Sequence, residues 1–510
     1  MHPERALAGG PALAAFVAYL ALVVLVGFWA ARKASGGMSD YFLAGRKLGR
    51  WVVALSAVAS GRSSWLLLGL SGLAWARGAS AIWAAAGYVV VEFLLFWDYA
   101  GRLRRFGEAR DCITVPDFYA ERLGDRSGAL RGLLVLVFLV FLPTYVGAQF
   151  AAGGKVFAAS LGIEASTGVW ITAAIVLVYT VLGGFLAVSV TDLLQAFFML
   201  LALLVLPLVA IFDRGGWSAL AAELDPGFLD PLSIGAGALI GSLGIGLGSP
   251  GNPHILVRFL SIDDPRQLRI SAIVGTTWNV LMALGAVLIG VAGRAWFPDL
   301  AMLPGGDREN LFTTLASEHL PPVLFGLVLA SVFAAIMSTT DSQLLVAASS
   351  VVRDLYEKIL RRDRALAPKR LVLLSRAVVV VLVLVAVVLG LRGEALIYWF
   401  VLLAWAGLGA ALGPTSILAL YWRGTTRAGA IAGILAGSTT VFVWRLFLRE
   451  RFWDLYELIP GFAAGLLATV VVSLLTRPPP DADAMLATMT TVPVDSRGSV
   501  PPLPRDPSPR

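Results

Sequence analysis

Long uninterrupted apolar runs dominate this chain and leave few folds open to it. Thirteen of them lie near 12–31, 51–74, 79–100, 130–153, 166–186, 190–212, 233–256, 270–293, 320–350, 371–391, 394–421, 427–447 and 455–476. Each is close to the roughly 20 residues that a helix needs to cross the hydrocarbon core of a bilayer. Lipid offers no water to backbone N–H and C=O groups, so such runs, lacking period-two alternation, satisfy themselves as helices. Of the 510 residues 58% are hydrophobic and only 14% charged, more apolar surface than a soluble fold can cover. The expectation is an all-α membrane protein embedded in the lipid bilayer. The first run is too long for a signal-peptide core and is followed by Arg32 and Lys33, which marks it as retained.

The basic residues orient the chain. Of 40 Lys and Arg, 29 fall in or beside segments that share one side if the N-terminus is outside, and ten fall on the other side. This positive-inside bias predicts an outer N-terminus and an inner C-terminus. The fortieth is Arg62, which sits within a span. The net charge of +7 reflects loop bias and implies no nucleic-acid partner. Cys112 is the one cysteine, so no disulfide forms within the chain. Residues 1–476 read as the membrane domain. Residues 477–510 carry nine prolines and read as a disordered cytoplasmic tail. No Cys/His cluster, phosphate-cradling loop or nucleophile–base set is present, so neither an enzyme nor a bound cofactor is expected.

Two spans contain breakable stretches. The second holds SAVASGRSSWLL at 56–67, and the seventh holds GSLGIGLGSPGNPHI at 241–255. They lie five spans apart, the spacing of two repeats running over about 51–212 and 233–421. Unwound backbone exposes carbonyls to a hard cation and broken helix ends to a polar solute. Small residues also serve close helix packing, but matched breaks in both halves favour a binding site. In span nine, AAIMSTTDSQLLVAAS at 334–349 supplies Ser338, Thr339, Thr340 and the intramembrane acid Asp341. Oxygen-only ligands suit sodium better than a transition metal.

DYFLAGRKLG at 40–49, TVPDFYAERLGD at 114–125, LGGFLAVSVTDLLQAFFM at 182–199, PHILVRFL at 253–260, MSTTDSQLL at 337–345, WAGLGAALGP at 405–414 and YELIPGF at 456–462 resemble the sodium/solute symporters, most nearly their proline-transporting branch. The likeness is collinear from about residue 12 to 476. It implies thirteen helices in a LeuT-type five-plus-five inverted repeat (spans 2–6 and 7–11), alternating access, and residence in a bacterial cytoplasmic membrane. It implies a sodium site of the Ala59, Arg62 and Ala335 carbonyls with the Ser338 and Thr339 hydroxyls. It places substrate-lining positions on Trp65, Tyr145, Ile245 and Ser249, and coupling or gating positions on Arg46, Gly61, Asp192 and Asp341.

Departures from that pattern bear on the substrate. Gly61-Arg62 replaces an Asp-Met pair, and Ile245 and Ser249 replace two aromatic residues. Three readings of Arg62 stand side by side: a substitute for the coupling cation, an anchor for a substrate carboxylate, or a side chain paired quietly with an acid such as Asp341. Taken without the resemblance, Trp65 and Tyr145 read as packing aromatics. Asp192, after Ser189 and Thr191, reads as a helix cap at an inner turn near 187–189. Asp98 and Arg102 read as an i,i+4 pair. Glu92 lies deep in span three with no partner that the sequence names. The expected function is sodium-coupled import of a small solute such as proline, with no obligate protein partner. The alternatives are a sodium-independent or proton-coupled carrier, with Arg62 replacing the ion, and a solute sensor that does not transport.

Overall fold

The apolar runs fold as helices, and no β-strand forms among the described residues, which are 9–32, 37–361, 367–392, 397–452 and 454–490 of this computed structural model. An isolated bridge joins Leu48 to Ile262. Nine helical stretches among the described residues are long and apolar enough to cross a membrane, and Ala165–Val178 and Leu458–Leu474 are shorter apolar helices. One of the nine, Arg50–Ala109, turns at Gly78, whose φ of +67° suits glycine, and so holds two of the expected runs.

The elements that matter below are α1 (Gly10–Ala31), α2 (Arg50–Ser64), α3 (Ser71–Arg77), α4 (Ile82–Leu94), α5 (Val115–Leu123), α6 (Ala129–Leu161) and α7 (Ala165–Asp213). They continue with α8 (Ala236–Gly244), α9 (Pro253–Ser261), α10 (Leu268–Trp296), α11 (Pro322–Ser349), α12 (Pro368–Leu391), α13 (Ile397–Tyr421) and α14 (Arg427–Val443). The chain ends its described part with α15 (Leu458–Leu474) and α16 (Ala482–Thr490).

The bundle is organised around α11, in which every residue from Val328 to Ser349 is buried. It packs against α1, α2, α6 and α7, while the segment between α8 and α9 is enclosed by α4 and α13. α1 and α12 keep large apolar side chains exposed, such as Leu25 and Leu373, as lipid-facing helices do.

Both expected breaks are present. The second span is interrupted at Ser63, with φ +45° and ψ −174° inside an otherwise helical run. The seventh is cut into α8, a 3₁₀ segment Ile245–Gly251, and α9. Its glycines allow close approach: a Cβ at Gly246 would overlap the Gly87 carbonyl, and one at Gly248 the Trp405 indole.

Three expectations are corrected. The inner turn foreseen at 187–189 is helical; the break between the fifth and sixth runs falls at Gly184, with φ +62°. Asp192 therefore sits within α7 and caps nothing. The tail is not wholly irregular, because α16 forms in it and buries Met485 and Met489. Arg105 Nε donates to the Met489 carbonyl at 2.6 Å, and Arg110 pairs with Asp481 at 3.2 Å. The alanine- and methionine-rich 482–490 stretch makes one apolar face, which the surrounding prolines obscured. Lys33 and residues 491–510 lie outside the described residues.

At the end of α5, Thr114 and Asp117 form a reciprocal capping box. Asp117 also pairs with Arg131 of α6 at 2.6 Å, and Arg131 in turn binds Asp354, which continues α11. Arg46, with a left-handed φ of +58°, donates to the Cys112 carbonyl at 2.9 Å and so ties the approach to α2 to the same region.

Candidate functional site

Breaking α2 frees backbone groups, and each finds a local partner. Ser63 Oγ accepts from the Trp65 N–H at 3.2 Å, restarting the helix. The Ser64 N–H and hydroxyl both donate to Gln149 Oε1 of α6, at 3.0 and 2.8 Å. A non-glycine residue at positive φ stores about 1–3 kcal/mol, which the packing around it must hold in place.

Beside the break, α11 brings oxygens together. Ser338 Oγ donates to the Ala59 carbonyl at 3.1 Å and to the Ala335 carbonyl at 3.2 Å. Thr339 Oγ1 donates to the Ser60 carbonyl at 2.9 Å. All these residues are fully buried. Four of the five residues implied for sodium thus lie at the contact between α2 and α11, with Ser338 bonding the Ala59 and Ala335 carbonyls and Thr339 the neighbouring Ser60 carbonyl. They are hard oxygen donors, two carbonyls and two hydroxyls, and the set fits an alkali cation. The Arg62 carbonyl is the exception; it accepts the Trp65 N–H across the break.

The Arg62 side chain is 1% exposed and its partner is Glu92 of α4, not Asp341. The guanidinium carbon stands 3.8 Å from the Tyr88 ring centroid. Glu92 accepts further bonds from Ser249 Oγ at 3.2 Å and Asn279 Nδ2 of α10 at 3.0 Å. The charge therefore points away from the carbonyl–hydroxyl cluster and does not occupy its centre. Ser249, read as substrate-lining, is committed to Glu92.

Trp65, Tyr145 and Ile245 do line a cavity, with Gly61, Arg62 and Tyr88 beside them and Val401, Leu402 and Trp405 of α13 opposite. Its volume is about 20 Å³, room for roughly one water. Trp65 stacks on Tyr398 with centroids 5.5 Å apart. Beyond Tyr398, Ile245 and Leu402 opens a vestibule of about 410 Å³, which Arg77, Arg445, Arg449 and Asp454 also line. Tyr398 is fixed by Glu309, whose carboxylate accepts the N–H groups of Ile397 and Tyr398 and pairs with Lys155 at 2.7 Å.

A second buried network adjoins the cation-type oxygens, Ser342 donating to the Ser338 carbonyl at 2.8 Å. Arg258 Nη2 donates to Asp192 at 2.9 Å and to Ser342 Oγ at 2.5 Å, and Nε donates to Ser56 Oγ at 2.9 Å. Ser56 and Ser60 donate to the same Asp192 oxygen at 2.6 and 3.3 Å, and Ser342 reaches Asp341 at 3.0 Å. One guanidinium thus joins α2, α7, α9 and α11. The sequence reading missed Arg258; its only signal was a basic residue directly after the broken stretch.

Solved transporter structures share this fold. A Na⁺-coupled sialic acid symporter, solved substrate-bound and outward-open, aligns over 92% of this chain and 99% of its own with a TM-score of 0.75 at 18% identity. A nucleobase-cation-symport-1 family transporter in a closed conformation aligns over 89% and 99%, with a TM-score of 0.54 at 15% identity. The chain belongs to the sodium:solute symporter family, whose model matches residues 41–437. Sodium/proline symporters of Staphylococcus aureus, strains JH9 and NCTC 8325 / PS 47 among them, are 36% identical to it over 474 residues, 90% of this chain and 92% of theirs. These relatives are symporters and not enzymes.

Proposed function

We propose that this protein is a sodium-driven importer of a small organic solute of the proline type. It works by alternating access, through thirteen spans whose second to sixth and seventh to eleventh form inverted repeats, with the N-terminus outside. The observation that carries the reading is that the Ser338 hydroxyl meets the Ala59 and Ala335 carbonyls and the Thr339 hydroxyl meets the Ser60 carbonyl at the α2–α11 contact, with an aromatic cavity lined by residues just past the same stretch of α2. Sodium held there ties α2 to α11. The solute lies on the other side of the same break, between Trp65, Tyr145 and Ile245, so one movement of α2 senses both. Glu92 neutralises Arg62 at rest and leaves the cation site free of a competing charge. Family membership and the proline-transporting relatives support sodium and proline respectively.

The test is uptake of radiolabelled L-proline by proteoliposomes of the purified chain, with and without an inward sodium gradient. Sodium-dependent accumulation is the expected result. Uptake indifferent to sodium refutes the coupling, and absence of proline uptake refutes the substrate.

A further inference from the structure

We infer that Arg62 is the anchor for a substrate carboxylate, held in position by Glu92, and that the cavity selects solutes bearing that group on a compact apolar body. This rests on the reading that the cavity beside Trp65 and Tyr145 is the solute site.

A guanidinium buried in a membrane protein needs a reason, because the group is costly there and two neutral side chains of similar volume would avoid the cost. Glu92 does not use it up. The carboxylate is taken by three donors, Arg62 Nη2, Ser249 Oγ and Asn279 Nδ2, so its own hydrogen bonds hold it in place. Those bonds and the Tyr88 face fix the orientation of the guanidinium, while its Nε–H, fully buried, has no hydrogen-bond partner. The Trp65 Nε1–H is buried and without a partner as well. Both side chains line the same cavity.

Buried donors left unsatisfied are expensive, and three of them on residues that line one cavity, the Tyr88 hydroxyl being the third and the guanidinium charged, mark a place where an acceptor enters. A carboxylate is the acceptor that matches. It carries two oxygens, takes charge-assisted bonds from guanidinium, and has an indole N–H within the same wall to share. The remaining walls are Ile245, Val401, Leu402 and the Trp405 ring, whose own N–H is bound to the Ile245 carbonyl at 2.9 Å. They favour a small hydrocarbon body. Arg77, Arg445 and Arg449 line the vestibule, the last two paired with Glu457 and Arg449 also with Asp454. Arg62 with Glu92 is neutral, so zwitterionic proline entering with one sodium ion adds one positive charge, and a carboxylate without an amine adds none.

The experiment compares three five-membered-ring probes on the purified full chain in sodium buffer: L-proline, cyclopentanecarboxylate, which lacks the amine, and L-prolinamide, which lacks the carboxylate. Binding is read as ligand-induced thermal stabilisation over a concentration series. Wild type is expected to bind both carboxylates and to bind the amide on the order of 10- to 100-fold more weakly. Arg62→Met alone strands Glu92, so the decisive variant is Arg62→Met/Glu92→Gln, which removes both charges together. It is expected to lose the preference for acid over amide. Glu92→Gln, which keeps the guanidinium but frees it, is expected to bind carboxylates more weakly while retaining that preference. Equal binding of acid and amide by wild type, failure of wild type to bind either carboxylate, or a preference that survives in the double variant overturns the inference. Binding of cyclopentanecarboxylate without proline uptake refutes the proposed substrate and leaves the anchor standing.

Discussion

Removing the Ser338 hydroxyl should weaken sodium binding by an amount that the geometry limits on both sides. In Ser338→Ala the ion loses one oxygen ligand, an interaction with a charged group worth about 1.5–3 kcal/mol. The ion-free protein loses something too, because the same hydroxyl donates to the Ala59 and Ala335 carbonyls. A neutral hydrogen bond of that kind is worth about 1 kcal/mol net, and its loss destabilises the state with which sodium competes. The difference, about 0.5–2 kcal/mol, is a rise of roughly 2- to 30-fold in the sodium concentration for half-maximal proline uptake. Thr340→Val is the control. Thr340 is the next but one residue of α11 and is equally buried, but its hydroxyl bonds the Ile336 and Met337 carbonyls of its own helix. It should leave the sodium dependence where it was. An unchanged half-saturation in Ser338→Ala, or an equal rise in Thr340→Val, would refute the assignment of the ion to the contact between α2 and α11.

Arg258→Met should lower the temperature of half-denaturation sharply, because it strands the buried acid Asp192, a loss of about 3–5 kcal/mol; adding Asp192→Asn should recover part of it, and a double variant no better than the single one counts against the pairing. Gly248→Ala drives a methyl group into the Trp405 indole, which its bond to Ile245 holds in place. It should cost about 1–3 kcal/mol in stability and reduce uptake, whereas Gly235→Ala, with open space at its Cβ, should do neither. Asp117 lies outside the spans; burial pushes its carboxyl up, but the Arg131 and Arg353 guanidiniums and the Ile113 N–H outweigh this and hold it below the usual 3.8. The stability it contributes is therefore complete above that value and lost only as pH falls through the lower folded one. Thermal melts of wild type and Asp117→Asn should differ by a constant amount at neutral and mildly acidic pH and converge below the usual value; convergence already at neutral pH would contradict the sign.

The elements were legible where one local property decides them. Apolar length gives the helices, and the glycine, proline and serine content of 56–67 and 241–255 gives the two breaks, because backbone preference acts within a few residues. Charge pairing was legible only at helical spacing. Asp98 and Arg102 meet at 2.9 Å as an i,i+4 pair should. Arg62 with Glu92, and Arg258 with Asp192, join helices that only tertiary packing brings together, and nothing local distinguishes the right partner from Asp341. Asp192 was misread for a related reason: Ser and Thr before an Asp is a good cap signal, and it was overridden by a helix that continues through it from Gly184 to Asp213. Trp65 and Tyr145 reached the site reading through resemblance, since an aromatic on an apolar helix looks the same whether it packs or lines a cavity.

The size of the inner cavity has a kinetic meaning. At about 20 Å³ it does not admit a proline-sized molecule, and the Trp65–Tyr398 stack stands between it and the vestibule. On the proposed function the solute therefore binds a conformer other than this one, and its apparent affinity is the intrinsic affinity scaled by the fraction of molecules that are open. Glu309 helps set that fraction, since its two bonds to the start of α13 hold Tyr398 over the cavity. On the proposed function, Glu309, which lines neither the cavity nor the vestibule, thus adjusts how tightly the carrier binds its cargo.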